Sequence, residues 1–261
     1  MTEWVATASL SALSAAVTAF FAGSTLAILA LGFCLERLPT PRIWALPLEP
    51  GQLRHELLGN LVFIAVTSAC FVVALGTGVT RFAVASFAAN FATFGALMLG
   101  FQVYYYGFHR LLHTRRWLRF HRWHHVSRVT TPLSAQSLSG VETLGWAVGY
   151  VLLPVLVSRW LPISLPGWAA YMFVNMLGNI TGHANVELMP HIPRVASFAW
   201  WANPSIFHAL HHARWKGHFG FQSAGMDRLF GSEFADWPVL HAQISARRAL
   251  TSMRAGAEHS S

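Results

Sequence analysis

Charge is what this sequence has least of. Only 11% of its 261 residues are Asp, Glu, Lys or Arg, where a soluble domain carries roughly 25%. With 54% hydrophobic residues and a mean hydropathy of +0.43, the deficit argues against a soluble globule and for an integral membrane protein. The length suits a single unit. Acidic residues are scarcest, 10 against 18 basic ones, and every basic residue except Lys216 is an arginine. On a soluble chain that excess would suggest nucleic acid. Here the arginines flank apolar runs, so topology and lipid headgroups account for them and no nucleic-acid partner is expected. Cysteine is nearly absent. Cys34 and Cys70 lie in apolar surroundings without a CxxC pattern, which gives no disulfide framework and no thiolate metal site. No HExxH occurs, which disfavours a zinc protease.

Long uncharged runs supply the architecture. Residues 4–33 contain no charge, more than the about 20 residues a helix needs to cross the hydrocarbon core. The opening MTEW lacks the basic region of a cleaved signal, so a retained span is expected. A proline-rich break, ERLPTPRIWALPLEPGQLRHE, precedes a second span at roughly 57–77; a tight GVTR turn at 78–81 leads to a third at about 82–107. Segments 143–161 and 165–182 read as an apolar hairpin punctuated by Pro154, Pro162 and Pro166, kinked or partly inserted. The expected fold is an all-α integral membrane protein with about four to five transmembrane or re-entrant helices and a cytosolic His-rich cap. Three parts follow: N-terminal spans at 1–101, a central region at 102–233 and a C-terminal tail at 234–261. If the spans alternate, sixteen basic residues fall on one side and only Arg81 and Arg159 on the other. That asymmetry places the polar segments in the cytoplasm and the N-terminus outside.

Against this background stand three histidine packets: HRLLH at 109–113, FHRWHH at 120–125 and FHALHH at 207–212. A helix turns about 100° per residue, so positions i, i+3 and i+4 share a face. His109 and His113 then point together, as do His121, His124 and His125, and His208, His211 and His212. Eight imidazoles exceed what one metal can use, so the arithmetic points to two ions. Imidazole without thiolate suits Fe, Zn, Cu or Ni and does not choose among them. The isolated His55, His241 and His259 read as ordinary interfacial residues, and Trp117, Trp123, Trp200 and Trp201 as interface anchors.

At these residues the chain resembles the fatty acid hydroxylase/sterol desaturase superfamily of membrane di-iron enzymes. Its HxxxH, HxxHH and C-terminal HxxHH signature appears as His109–His113, His121–His125 and His208–His212. YYYGFHRLLH resembles the family's aromatic-rich approach to the first box. GHANVELMP is similar to the segment that contributes a further ligand, here His183, and MDRLFGSE resembles the closing WDRLFGT. The likeness covers 102–233. Gln102 stands where relatives often carry an acidic residue. His218-Phe219-Gly220 replaces an Asn-Tyr-Gly, making His218 a candidate ligand or supporting donor. Glu187 occupies the place of a second histidine, and His191 is a weaker candidate.

The resemblance implies ligation of two iron ions by the clustered histidines and His183, with zinc a substitute in purified protein and O2 the co-substrate. Asn185, Glu187 and Asp227 are the expected hydrogen-bond partners that fix the rings. A lipid entering sideways from the bilayer (sterol, fatty acyl or related isoprenoid) would be hydroxylated at an unactivated C–H bond, or desaturated. A membrane metal- or haem-binding protein without catalysis is the rival from another class. Because no flavin, iron–sulfur or haem-binding motif is visible, electrons are expected from a ferredoxin, rubredoxin or cytochrome b5-type donor docking on the arginine-rich face.

Overall fold

The computed structural model describes residues 2–190 and 194–254; His191 and His259 lie outside them. A short helix α1 (Thr2–Thr7) is followed by α2 (Leu10–Arg37), α3 (Gln52–Gly76) and α4 (Phe87–Leu112). After α5 (Leu118–His121) come two 3₁₀ turns, His124–Val126 and Pro132–Gln136, and then α6 (Gly140–Val157) and α7 (Leu165–Gly182). Four short helices close the chain: α8 (Val195–Phe198), α9 (Ser205–Arg214), α10 (Gly225–Leu229) and α11 (Trp237–Ser245). Among the described residues extended pairing is limited to isolated bridges, such as Arg42 with Val186.

Serines decide where the long helices start. The hydroxyls of Ser9, Ser86, Ser139 and Ser164 accept from Ala12, Ala89, Glu142 and Gly167 N–H groups, capping α2, α4, α6 and α7, which satisfies donors that the first turn otherwise leaves unpaired. The Ser9 cap splits the first apolar run, expected to be one span over 4–33, into α1 and α2. The Ser86 cap starts α4 at Phe87, five residues after the apolar run begins at Phe82. Phe82 instead bridges to Ile163 at the far end of the hairpin. Pro154 falls in the last turn of α6, and Pro166 in the first turn of α7, where a missing N–H costs nothing.

α2, α3, α4 and α6 are each long and apolar enough to cross a membrane. With α7 they close a ring in which α2 packs on α3, α3 on α6, α6 on α4, α4 on α7 and α7 back on α2. Inside lies an aromatic core that includes Phe21, Phe71, Phe101, Trp168 and Tyr171. Between lipid-facing helices apolar burial gives little drive, and close packing does the holding. The Pro132–Gln136 turn packs against α2, α3 and α7 and plugs one end of the ring. A second core, with Ile43, Trp44, Phe207, Leu210, Trp237 and Ile244, forms a cap at that end.

The plug is seated by small residues and one carboxylate. A Cβ on Gly59 of α3 would lie 2.5 Å from Ser137 Cα, closer than any side chain tolerates. Glu56, fully buried one turn earlier, accepts hydrogen bonds from Gln52 Nε2, Ser127 Oγ and Thr131 Oγ1, each at 2.7 Å. A buried carboxylate with three donors ties the segment after the second histidine packet to a membrane helix. Gly59→Ala is therefore expected to destabilise the protein by about 1–3 kcal/mol through overpacking, read as a lower melting temperature in detergent. Gly23→Ala, with no atom within 4 Å of the added carbon, should not lower it.

Candidate metal centre

Five elements deliver histidines to the plugged end of the ring. His109 lies in the last turn of α4 and His113 is its C-cap. His121 ends α5, His124 and His125 occupy the following 3₁₀ turn, and His183 caps α7. His208, His211 and His212 lie on α9. All are buried except the partly exposed His113.

These nine rings form two groups. In one, ligand atoms of His109, His113, His121, His125 and His211 lie within 4.8 Å of one another; in the other, those of His124, His183, His208 and His212 do. The packets are split between the groups by a simple rule. Residues four apart stay together: 109 with 113, 121 with 125, 208 with 212. The residue three along crosses over, so His124 leaves its packet for the second group and His211 leaves for the first. The expectation that i, i+3 and i+4 act as one face is corrected here. In the second packet the helix breaks between His121 and His124. On α9, three residues turn about 300° and four about 400°, a 100° divergence that suffices when two centres flank the helix.

Backbone and carboxylate oxygens hold the rings. His109, His183, His211 and His212 each place Nδ1 at 2.7–3.0 Å from the carbonyls of Phe219, Asn179, Gly217 and Ser127 respectively. His121 Nδ1 donates to Glu142 Oε1 at 2.7 Å. With the proton committed at Nδ1, Nε2 carries a bare lone pair. Yet Nε2 of His183 and Nε2 of His212, both so committed, face each other at 3.2 Å, with His208 Nε2 at 3.0 and 3.1 Å from the two. In the other group His113 and His125 Nε2 each lie 3.2 Å from His211 Nε2, and His125 is 3.1 Å from His121. Converging lone pairs repel unless a cation sits among them, and these spacings match adjacent ligands on an ion bound at about 2.1 Å. The residues present fit two metal ions.

Above the groups, inside the ring, lies a narrow cleft with a cavity volume of about 20 Å³. Phe63, Tyr105, Trp146, Tyr150 and Met176 form apolar walls, and His109, His121 and His124 reach it from both groups.

The sequence of this region carries a family signature. The profile described as "Fatty acid hydroxylase" matches residues 94–232. The chain belongs to the fatty acid hydroxylase family. Among relatives of known name are the Arabidopsis thaliana protein CER1-like 2, 30% identical over 139 residues, and two very-long-chain aldehyde decarbonylases. These are GL1-4 of Oryza sativa subsp. indica, 28% identical over 136 residues, and CER1 of Arabidopsis thaliana, 27% identical over 136. Each match takes in 49% of this chain and 21% of the relative, so the chain spans about a fifth of those proteins. No solved structure matches it.

The remaining candidates of the fatty acid hydroxylase region fall outside both groups. His218 stacks on Phe207 with centroids 3.4 Å apart; its Nδ1 meets the Phe207 carbonyl at 2.8 Å and its Nε2 accepts from Phe234 N–H at 2.9 Å. Neither ring nitrogen is left for a metal. Asn185, in a left-handed conformation with φ 50, pairs through its amide with Trp44 N–H and C=O, pinning the segment before α3 and touching no ring of either group. Glu187 accepts from the N–H groups of Met189, Ser205 and Ile206. It thereby caps the histidine helix α9, and burial pushes its carboxyl up to about 7. Asp227 supports a ring at one remove, holding the Phe219 and Gly220 N–H groups at 2.8 and 2.7 Å while the Phe219 carbonyl meets His109. Gln102 contacts Gln222 instead of a histidine. His241 is buried in the cap against the Met189 carbonyl, not interfacial, and His55 stacks on Trp123 at 4.0 Å.

Sequence reasoning missed Glu142 and Glu56. Both are lone acids at the edge of an apolar run, and in a membrane helix that alone marks a functional position.

Burial pushes the imidazoles of His124 and His183 down to about 4 and about 3, and that of His218 to about 3. An unfolded histidine titrates near about 6.5, so below that pH the unfolded chain binds more protons than the folded one. Stability of the metal-free protein is then full above about pH 6.5 and falls as the pH drops toward about 4, a trend that melting curves at stepped pH will show. Metal counting tests the grouping. His211→Ala and His183→Ala should each lower bound metal from two ions per chain to one, while His218→Asn retains both.

Proposed function

We propose that this protein is a membrane-bound di-iron oxygenase that hydroxylates a lipid at an unactivated C–H bond, using O2 and electrons from a separate carrier. The supporting observation is the shared cleft: one space with aromatic walls meets rings of both histidine groups. A metal store would not need such a space, and a haem site would leave most of the rings without a role.

The overall stoichiometry is R–H + O2 + two electrons + two protons giving R–OH + H2O. Two iron ions held by the two groups would supply the O2-dependent oxidation, and zinc would occupy the same nitrogens in protein purified without iron. What the chain itself does is position and exclude. Carbonyls at Nδ1 turn the Nε2 of His109, His183, His211 and His212 inward, Glu142 sets the ring of His121, and the aromatic walls keep bulk water from the reacting carbon. The ring of spans admits an alkyl chain from the bilayer, because a hydrocarbon tail has no favourable route through water.

Two further readings use the same site. Desaturation would remove two hydrogens from adjacent carbons and yield two waters. The relatives' names add a very-long-chain aldehyde as substrate; this chain spans about a fifth of their length.

Orientation and partner belong to this proposal. The histidine end carries the excess of arginine and is assigned to the cytoplasm, with the N-terminus outside. Arg110, Arg115, Arg116, Arg119, Arg122 and Arg128 are all exposed around the first two packets. Beside them the half-buried Trp215 packs against His125 with ring centroids 4.5 Å apart. An acidic carrier of the ferredoxin, rubredoxin or cytochrome b5 class would dock there, with an affinity that falls as salt rises.

The test is iron-loaded protein in lipid nanodiscs with a reduced ferredoxin and isotopically labelled O2, with the lipids read by mass spectrometry. One labelled oxygen gained by a lipid supports hydroxylation. Loss of two hydrogens, or a hydrocarbon one carbon shorter than an added aldehyde, selects the desaturase or decarbonylase reading. Unchanged lipid with two irons bound would contradict all three.

A further inference from the structure

The cleft is not purely apolar. Two of its lining side chains, each only 1% exposed, present polar atoms that meet no partner in the protein. Gln136, on the plug, uses Oε1 to accept from Thr25 Oγ1 at 3.0 Å, leaving the amide Nε2 as an unmet donor. Glu142, at the start of α6, uses Oε1 to accept from His121 Nδ1 at 2.7 Å and from Trp146 Nε1 at 3.2 Å, leaving Oε2 as an unmet acceptor. Buried groups of this kind are nearly always satisfied, and here both line one enclosed space beside the metal-holding rings.

We propose that the cleft recognises a lipid alcohol by its hydroxyl, which accepts from Gln136 Nε2 and donates to Glu142 Oε2. An alkyl chain alone leaves a donor and an acceptor unmet. An aldehyde oxygen meets only Gln136, and a carboxylate would face Glu142 with like charge. A hydroxyl is the simplest group that answers both. The oxygenated end of the lipid, not its tail, then lies against the rings. This deepens the oxygenase reading and rests on it for the fate of the bound lipid, while the binding itself needs no redox chemistry.

The test uses the full chain in nanodiscs with zinc at both sites, equilibrated with hexadecanol, hexadecanal, hexadecane or palmitate, and reads retained lipid by mass spectrometry. The wild type should hold hexadecanol at least about tenfold more tightly than hexadecane, the worth of one or two buried hydrogen bonds. Gln136→Met should remove that preference with metal content unchanged. Glu142→Gln replaces the free oxygen by an amide donor and should turn the preference from alcohol toward aldehyde, a reversal that mere loosening of the cleft cannot produce. Equal retention of alcohol and alkane by the wild type would overturn the inference, as would an unchanged alcohol-to-aldehyde ratio in Glu142→Gln. Iron-dependent oxidation of some other lipid would in that case leave the oxygenase reading standing; alcohol preference without any oxidation would do the reverse.

Discussion

Imidazole lone pairs turned toward one another are the constraint from which the rest of this structure follows. Five of the nine rings give their Nδ1 proton outward, to the Phe219, Asn179, Gly217 or Ser127 carbonyl or to Glu142, and so are left with Nε2 facing inward. Packing such atoms 3.0–3.2 Å apart costs free energy in the metal-free chain. Only a rigid surround can hold them there, and an ion bound among them would offset the cost. The surround is correspondingly elaborate: Glu56 ties down Ser127, whose carbonyl meets His212, and Glu187 holds the first turn of α9. Asp227 fixes the turn whose carbonyl meets His109. Three buried carboxylates that touch no metal-facing ring nitrogen are thus committed to three different supports of the two groups.

Membrane architecture supplies the other half of the constraint. A ring of five helices closed on itself, with a 3₁₀ plug at one end, creates an apolar interior that opens onto both groups. Helix polarity alternates around the chain, so the C-terminal ends of α2, α4 and α7 and the N-terminal ends of α3 and α6 gather at the plugged end. That is why His109, His183 and Glu142, far apart in sequence, meet there. The cap built on Trp44, Phe207 and Trp237 is a separate core, held by burial from water instead of by packing in lipid.

Much of this was legible beforehand, and the reasons differ by feature. The membrane class, the span count and eight of the nine histidines follow from composition and spacing, because lipid forbids charge and helices repeat regularly; His183 follows from the family resemblance. Partition of the rings between two groups was not legible. It depends on the break after His121 and on α9 lying between two centres, neither of which periodicity encodes. His218 looked like a ligand by its place in a motif, but the Phe234 N–H claims its remaining nitrogen, a tertiary contact invisible from a single chain. Asn185 lies two residues from His183 and still works elsewhere, on Trp44. Glu142 could have been noticed: a lone acid at the mouth of an apolar run is costly enough to demand a reason.

The central claim is that two ions occupy two distinct nests of nitrogen. Anomalous diffraction at the iron edge from crystals of iron-loaded protein tests it most directly. The account predicts two peaks, one enclosed by His109, His113, His121, His125 and His211, the other by His124, His183, His208 and His212. A single peak shared by all nine rings, or density at His218 instead, would contradict it.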